Sequence, residues 1–295
     1  MKKNKEEGSL QLNKRSKNTR KTQRLLKIFF PLAHFFFFLL LTIICFMAKN
    51  FDYSVIYSDD DIVVLNKRSG ILIAQDRYDP DAPRLDVIAQ KEFGKLYAVH
   101  RIDKDTSGLI VYARTAEAQK NISMQFEKRQ VQKTYHALVY GRPLWETTQI
   151  DLPLLPDGDA RHRTTIDKKK GKPSTTELRC IGNCGNFSWI EAKPKTGRTH
   201  QIRVHLNSTG FSIVCDPLYG GNQKPVRLSE IKRNWNGDEE EERPLLSRLA
   251  LHAYKITFTH PTTNEEVSFV APYPKDMDAT RKQLEKIYNV NPLEM

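Results

Sequence analysis

Cysteine is scarce in this sequence, with four residues in 295. Cys45 lies in an apolar run and Cys215 stands alone. Cys180 and Cys184 form one close pair, with no second pair at zinc-ribbon spacing. This pattern argues against a disulfide-stabilised scaffold and against a structural zinc site, so we interpret the cysteines as reduced thiols. The chain also lacks an internal repeat, which argues against a repeat array.

Acidic residues are the minority charge: 35 Asp and Glu stand against 47 Lys and Arg, a formal net charge of +12. Residues 1–46 hold ten basic and two acidic residues, so +8 of this charge lies there and +4 in residues 47–295. The mildly basic body suits a nucleic-acid partner without requiring one.

The most informative segment runs from His100 to Gly108 and reads His-Arg-Ile-Asp-Lys-Asp-Thr-Ser-Gly. Short apolar, β-prone runs flank it at residues 96–99 and 109–113. This arrangement predicts a polar loop between two buried strands, which is a common location for catalytic groups. A salt-bridged turn is the alternative interpretation.

A second polar segment covers residues 194–206 and includes Thr-Gly-Arg-Thr-His-Gln-Ile-Arg-Val-His. Thr199 is predicted to cap a helix that ends at Gly210 and points Ile202 and Leu206 inward. His200 and His205 are five positions apart, so they face different directions on a helix or a strand and do not suit a shared metal.

The rest of the body alternates strands with few helices. Helices are predicted at residues 86–93 and from a Thr115 cap to about residue 128. Strands are predicted at residues 54–57, 62–65, 131–141, 176–181, 187–192, 253–259 and 267–271. In the 131–141 strand, Lys133 and Tyr135 share one face. These elements predict an α+β fold with a curved, mainly antiparallel mixed sheet flanked by helices.

Both polar segments resemble the RluA-type RNA pseudouridine synthases. The first matches that family's His-Arg-Leu-Asp-x-x-Thr-Ser-Gly signature, with Ile102 in place of Leu. The second matches Thr-Gly-Arg-x-His-Gln-x-Arg-x-His. Further similarity at 210–220, 248–253 and 271–274 extends the resemblance over roughly residues 55–280.

The resemblance implies a pseudouridine synthase-like catalytic domain that isomerises specific uridines in rRNA or tRNA. Asp103 would be the catalytic residue, Arg203 its partner and Tyr135 an aromatic wall for the uracil. An adjacent guanidinium would keep Asp103 ionised and orient it through bidentate hydrogen bonds. Base flipping would bring the uridine to these groups. The reaction needs no metal or other cofactor.

Other residues are expected to bind the substrate, a structured RNA. They are His100, Arg101, Thr106, Lys172, Arg198, His200 and Gln201. The basic segments 161–163 and 168–172 are candidates for phosphate contact, with a solvated turn as the alternative. The separate S4-like RNA-binding module of some relatives is not evident, and we expect a cytoplasmic monomer.

Residues 28–47 form an apolar run of about 20 residues, enough to span a bilayer as a helix. A membrane anchor would export the remainder by the positive-inside rule, which conflicts with an RNA substrate. We expect instead that residues 1–46 come from an upstream start and that the catalytic domain is 47–295. A genuine membrane segment, with membrane association, stays open.

Two alternatives to catalysis remain. The chain is either a non-catalytic RNA-binding protein of the same fold or, if residues 28–47 are genuine, an anchored or exported protein with another role. Intact Asp103, Tyr135 and Arg203 argue against the first alternative. Mass spectrometry of the mature N-terminus tests the second.

Overall fold

The computed structural model describes residues 52–73, 75, 81–221 and 224–294. Its strands are β1 (Tyr53–Ser58), β2 (Ile62–Lys67), β3 (Tyr97–Ala98), β4 (Ser107–Ala113), β5 (Gln132–Tyr140), β6 (Thr147–Asp151), β7 (Leu154–Leu155), β8 (Thr165–Ile166), β9 (Thr175–Cys184), β10 (Phe187–Pro194), β11 (Leu251–Thr259) and β12 (Glu266–Val270). Its helices are α1 (Leu85–Phe93), α2 (Ala116–Glu127), α3 (Gln201–Ser208), α4 (Leu228–Ile231) and α5 (Lys275–Tyr288).

Ten strands form one sheet whose main order is β1-β2-β4-β11-β5-β10-β9-β6, with β3 beside β4 and β12 beside β11. Strands β7 and β8 form a separate two-stranded ribbon. In the described part of the chain, every strand pair is antiparallel except β4 with β11. The α+β prediction with a mainly antiparallel mixed sheet is therefore confirmed.

Strands β2 and β4 are buried on both faces, which explains why they are continuous apolar runs. Val63, Leu65 and Ile110 pack into a cluster with α1. Their neighbours Ile62 and Val64 pack on the opposite side with α2. This two-sided burial fixes the start of β4, where the polar loop 99–106 ends.

Gly108 lets β4 approach β11 closely. Its φ is +112°, and a Cβ at this position would overlap the carbonyl oxygen of Ala253. Only glycine fits such a close approach at positive φ. The resulting parallel pairing aligns Ser107 with His252 and brings the polar loop beside β11.

The helix boundaries confirm one cap prediction and correct another. Thr115 caps α2 as predicted, accepting a hydrogen bond of 3.1 Å from the backbone N–H of Ala118. The Thr199 cap was wrong: α3 begins at Gln201, after His200 in the left-handed region at φ 52°. The Gln201 side chain accepts a hydrogen bond from the Arg198 backbone N–H, so the chain completes a turn before the helix starts.

Sequence patterns missed strands β6 to β8 and helix α5. Helix α5 buries Met277 and Leu284 and carries Asp276 and Asp278 in its first turn. Across the described residues, no helix has both the length and the apolar character needed to cross a membrane. The segment 1–46 and the apolar run 28–47 lie outside the described residues.

Candidate active site

A cavity of about 490 Å³ lies where the loop before β4, strand β5 and the segment leading into α3 meet. Eight of the ten predicted site residues line it: His100, Arg101, Asp103, Thr106, Tyr135, Arg198, Gln201 and Arg203. His200 and Lys172 are not among the lining residues. The structure thus brings together most of two motifs that are about 100 residues apart in sequence.

The turn that carries Asp103 is hydrogen-bonded to the end of β2 and the turn that follows it. Lys67 is fully buried, and its ammonium donates to the carbonyl oxygens of Arg68, Ile71 and Lys104 at 3.0, 2.9 and 2.8 Å. The Gly70 N–H donates to the same Lys104 carbonyl oxygen at 2.8 Å. These bonds hold the turn that carries Asp103 rigidly in place.

Burial of Lys67 has a cost that its surroundings partly offset. Desolvation lowers the pKa of Lys67 to about 7, while the charges of Asp105 and Asp103 oppose that shift. Lys67 was not among the candidate site residues predicted from the sequence. Its role in supporting the loop was missed, because a buried lysine has no periodic signature.

Arg203 has a different principal partner from the one predicted. Its Nε and Nη2 donate to the Asp216 carboxylate at 2.9 and 2.7 Å, and both side chains are buried. Only Nη1 faces Asp103, at 3.9 Å from its Oδ2. The expected bidentate bond to Asp103 was therefore wrong, because Asp216 already occupies the guanidinium's two aligned N–H groups.

The Arg203–Asp216 pair keeps both charges inside the protein. Burial alone would raise the pKa of Asp216, but the hydrogen bonds and charge of Arg203 outweigh it and hold that pKa below its usual value. Burial likewise opposes the charge of Arg203, and Asp216 raises its pKa. Asp103 thus sits near a permanent cation without sharing its strongest hydrogen bonds.

Tyr135 supplies an aromatic wall from β5. It packs against the apolar clusters on both sides of the site. Burial, and secondly the charge of Asp103, raise the pKa of Tyr135, so its phenol is neutral at physiological pH. Among the described residues its hydroxyl has no hydrogen-bond partner, which leaves that hydroxyl available to a bound molecule.

Two predicted substrate-binding residues have structural partners of their own. His100 accepts a hydrogen bond at its Nε2 from the Val111 N–H at 2.9 Å and stacks on Phe126 at 4.7 Å between ring centroids. Burial lowers the pKa of His100 to about 3, so the ring is neutral. Gln201 bonds through its side-chain oxygen to the Thr196 hydroxyl and through its nitrogen to the carbonyl oxygen of Thr175.

The two residues outside the cavity lining support the surrounding loops. His200 Nδ1 lies 3.0 Å from the hydroxyl of Tyr219, which in turn bonds to the backbone of Thr164. Lys172 exchanges two backbone hydrogen bonds with Leu154 at the β7–β8 ribbon. The ring of His200 and the backbone of Lys172 therefore hold the neighbouring loops in position.

Two buried polar atoms of the cavity residues lack a hydrogen-bond partner among the described residues. Thr106 Oγ1 and Arg198 Nε are buried and make no hydrogen bond within the described residues. Six basic side chains line the cavity: Arg101, Arg129, Lys133, Lys195, Arg198 and Arg203. The acidic residues lining it are Asp103 and Glu127. The cavity is thus cationic, with unsatisfied groups that suit a polar, anionic ligand.

A group of three side chains of metal-ligating type lies among residues that do not line this cavity: Asp59, Asp61 and His260. The Asp59 Oδ1 accepts hydrogen bonds from the backbone N–H groups of Asp61 and Ile62 at 2.9 and 2.8 Å. His260 Nε2 lies 2.9 Å from Asp59 Oδ2. These groups satisfy one another within a turn.

The family model for RNA pseudouridylate synthase matches residues 61–208. This range contains Asp103, Tyr135 and Arg203, and it covers half of the chain. The chain belongs to the RNA pseudouridylate synthase family. The RluA-type resemblance is confirmed by the relatives described next.

Two curated relatives illustrate the similarity. The dual-specificity RNA pseudouridine synthase RluA of Escherichia coli O6:H1 is 34% identical over 219 residues, which are 74% of this chain and 92% of that protein. The ribosomal large subunit pseudouridine synthase D of Neisseria meningitidis serogroup B is 32% identical over 241 residues, or 79% of this chain. The match spans 62% of that longer protein, less than two thirds of its length.

Solved structures agree with the fold assigned above. Human RNA pseudouridylate synthase domain containing 1 matches with a TM-score of 0.58 at 27% identity, covering 75% of this chain and 84% of that one. Human RNA pseudouridylate synthase domain containing 4 matches with a TM-score of 0.61 at 22% identity, covering 79% and 93%. The second likeness concerns the fold alone.

Proposed function

We propose that this protein is an RNA pseudouridine synthase that isomerises specific uridines of rRNA or tRNA, with Asp103 as the catalytic residue. The observation that carries this proposal is the seating of Asp103 in a cationic cavity, beside the Arg203 guanidinium and the Tyr135 phenol. The names of the curated relatives, which describe ribosomal and dual-specificity RNA pseudouridine synthases, support it.

The proposed reaction changes the attachment of uracil to its ribose and leaves the oxidation state unchanged. The bond between N1 and C1′ breaks, the uracil rotates, and a bond between C5 and C1′ forms while C5 loses a proton and N1 gains one. A cavity of about 490 Å³ has the size of a typical small-ligand site and suits a flipped nucleotide.

Three side chains have different roles in this cavity. Asp103 provides the carboxylate that contacts the reacting nucleotide, either as nucleophile or as base. Arg203, fixed by Asp216, stabilises the charge on Asp103 in a site that burial makes electrostatically strong. Tyr135 forms the wall against which the flipped uracil stacks.

The RNA contacts extend beyond the cavity in this proposal. The exposed His162 pairs with Asp157, whereas Arg161 and the basic run 168–170 are exposed near the β7–β8 ribbon, where they can approach phosphates. Arg163 differs, because it pairs with Asp159 at 2.8 Å and donates to the Leu218 carbonyl oxygen. We place the activity in the cytoplasm, where these RNAs are found, with the protein acting on structured RNA as a monomer.

The test is release of tritium from RNA labelled at uracil C5, using total rRNA and tRNA and the full chain. We expect release by the wild type and none by Asp103→Asn, which keeps the shape of the side chain but removes its charge. Asp105→Asn is the matched control in the same turn, and it should retain release because its side chain does not line the cavity.

The alternative is a non-catalytic RNA-binding protein of the same fold. Tight RNA binding by the wild type, without tritium release from any RNA fraction, would favour that alternative. Equal release by the wild type and Asp103→Asn would refute the assignment of Asp103.

A further inference from the structure

Lys133 lines the cavity and has no anionic partner among the described residues. It lies two residues before Tyr135 on β5, so both side chains share the face that lines the cavity. Its ammonium makes one long hydrogen bond, 3.4 Å to the Thr196 carbonyl oxygen, and no ion pair with any described residue. Burial lowers the pKa of Lys133 to about 8, and no carboxylate counters that shift.

Arg198 is the second such cation. Its Nε is buried without a hydrogen-bond partner, and its guanidinium forms no ion pair within the described residues. Its backbone is nevertheless well fixed, because the Arg198 N–H donates to Gln201 Oε1 at 3.0 Å. The backbone of Arg198 is therefore fixed, while its guanidinium has no counterion among the described residues.

Lys133 and Arg198 converge on the same turn. A Cβ placed on Gly197, the residue before Arg198, would lie 3.8 Å from the Lys133 ammonium. The Thr196 carbonyl that contacts this ammonium belongs to the same turn. An anion bound at this turn would offset the lost solvation of Lys133.

The other basic side chains of the cavity are less suited to bind an anion inside it. Arg203 is neutralised by Asp216 at 2.7 Å, and Lys195 pairs with Glu177 at 2.9 Å. Arg101 and Arg129 are exposed at the rim, where water solvates them. Lys133 and Arg198 thus remain as the inner cations that lack a counterion among the described residues.

We propose that Lys133 and Arg198 form a phosphate subsite, which holds the backbone phosphodiester beside the uridine that enters the cavity. This inference rests on the proposed function. A guanidinium suits two phosphate oxygens and a lysine adds a point charge, so together they match a phosphodiester. Lys133 lies about 7 Å along the strand from Tyr135, so a phosphate held there sets how far the nucleotide reaches toward Asp103.

The first experiment measures discrimination between nucleotides in the absence of turnover. Full-length Asp103→Asn protein is titrated with uridine 5′-monophosphate, uridine 3′-monophosphate and uridine, each competing with a fluorescent RNA. We expect at least one monophosphate to compete about tenfold or more better than uridine. That preference should fall toward onefold when Lys133→Met or Arg198→Met is added, and Lys133→Arg should restore most of it.

The second experiment measures the salt dependence of RNA binding by the same proteins. Loss of one phosphate contact should reduce the slope of log affinity against log salt by about 1. Lys193→Met is the matched control, because Lys193 lies outside the cavity lining and pairs with Glu191 at 3.0 Å. Its nucleotide preference should stay that of the parent. Lys133→Gln replaces the methionine variant if that variant fails to give a cooperative thermal transition.

The outcomes separate this inference from the proposed function. An unchanged monophosphate preference in both Lys133 and Arg198 variants overturns the subsite, even if the wild type forms pseudouridine. A phosphate preference that depends on both residues supports the subsite, even if no RNA releases tritium.

Discussion

Replacing Asp216 by Asn perturbs the buried ion pair on which the geometry of the candidate site depends. The asparagine keeps the shape of the side chain but removes its charge. It also turns an NH₂ group toward N–H donors, since Asp216 accepts from Arg203 and from the backbone of Leu218 and Tyr219. Arg203 is then left buried without its main counterion.

The expected loss of stability in Asp216→Asn follows from the burial of the Arg203–Asp216 pair. Breaking a buried pair by neutralising one partner costs about 3–5 kcal/mol. The exposed fractions of the two side chains are 1% and 0%, so solvent screening gives little relief. For a domain of this size, each kcal/mol lowers Tm by about 2–4 °C, so we expect a fall of about 6–20 °C.

The assays are thermal unfolding for Tm and urea unfolding for the free energy, both followed by tryptophan fluorescence, with Asp278→Asn as the control. Asp278 also bonds to an arginine, Arg281, at 2.9 Å, but its side chain is 30% exposed. Its loss should therefore cost less than about 1 kcal/mol. A cost below 1 kcal/mol for Asp216→Asn at pH 7 would refute the reasoning, because it would mean that Arg203 needs no fixed counterion.

The pH dependence gives an independent check on the same pair. The pKa of Asp216 is held below its ordinary value in the folded protein. Its contribution to stability is therefore present above the unfolded pKa of about 4 and is lost as the pH falls through the folded value. The stability gap between wild type and Asp216→Asn should be constant from pH 6 to 8 and should narrow below about pH 4.

Three further substitutions, one of them with a matched control, test other parts of the fold. Because the pKa of buried Lys67 is about 7, the unfolded chain holds its proton more tightly above that pH. The stability of the wild type relative to Lys67→Met should therefore rise between pH 7 and 10, by at most about 1.4 kcal/mol per pH unit in urea titrations. Gly108→Ala should cost about 3 kcal/mol or more, because its Cβ meets the Ala253 backbone. Gly94→Ala, with φ +71° and open space around it, should cost only about 1–2 kcal/mol in the same unfolding assay. Thr115→Ala should lose about 1 kcal/mol of thermal stability with the loss of the α2 cap; no change in Tm would contradict that cap.

Local signals in the sequence predicted the scaffold around the candidate site. Apolar runs on both sides of residues 100–108 indicated a loop between two buried strands; β4 is buried as predicted, whereas β3 is two residues long and not buried. Alternation along residues 131–141 placed Lys133 and Tyr135 on one face, and both line the cavity. These features follow from periodicity over a few residues, which a single sequence records.

Such local patterns could not predict which side chains become partners in the folded protein. The Arg203–Asp216 bond joins residues 13 positions apart, and nothing in their spacing distinguishes Asp216 from Asp103 as the partner of the arginine. Thr199 has the residue type of a helix cap, yet the Gln201 side chain organises that turn instead. Helix α5 was missed, although acidic residues in its first turn and the spacing of Met277 and Leu284 were available signals.

The parallel contact between β4 and β11 has a consequence for biosynthesis. Ser107 and His252 are neighbours in the sheet although 145 residues separate them along the chain. Contacts of such high sequence separation form only after much of the chain is available, and they slow folding. A growing polypeptide therefore carries both polar segments, through Arg203, before it has the strand that aligns them. The cavity closes only when the C-terminal strands emerge, so a chain still under synthesis lacks the assembled centre.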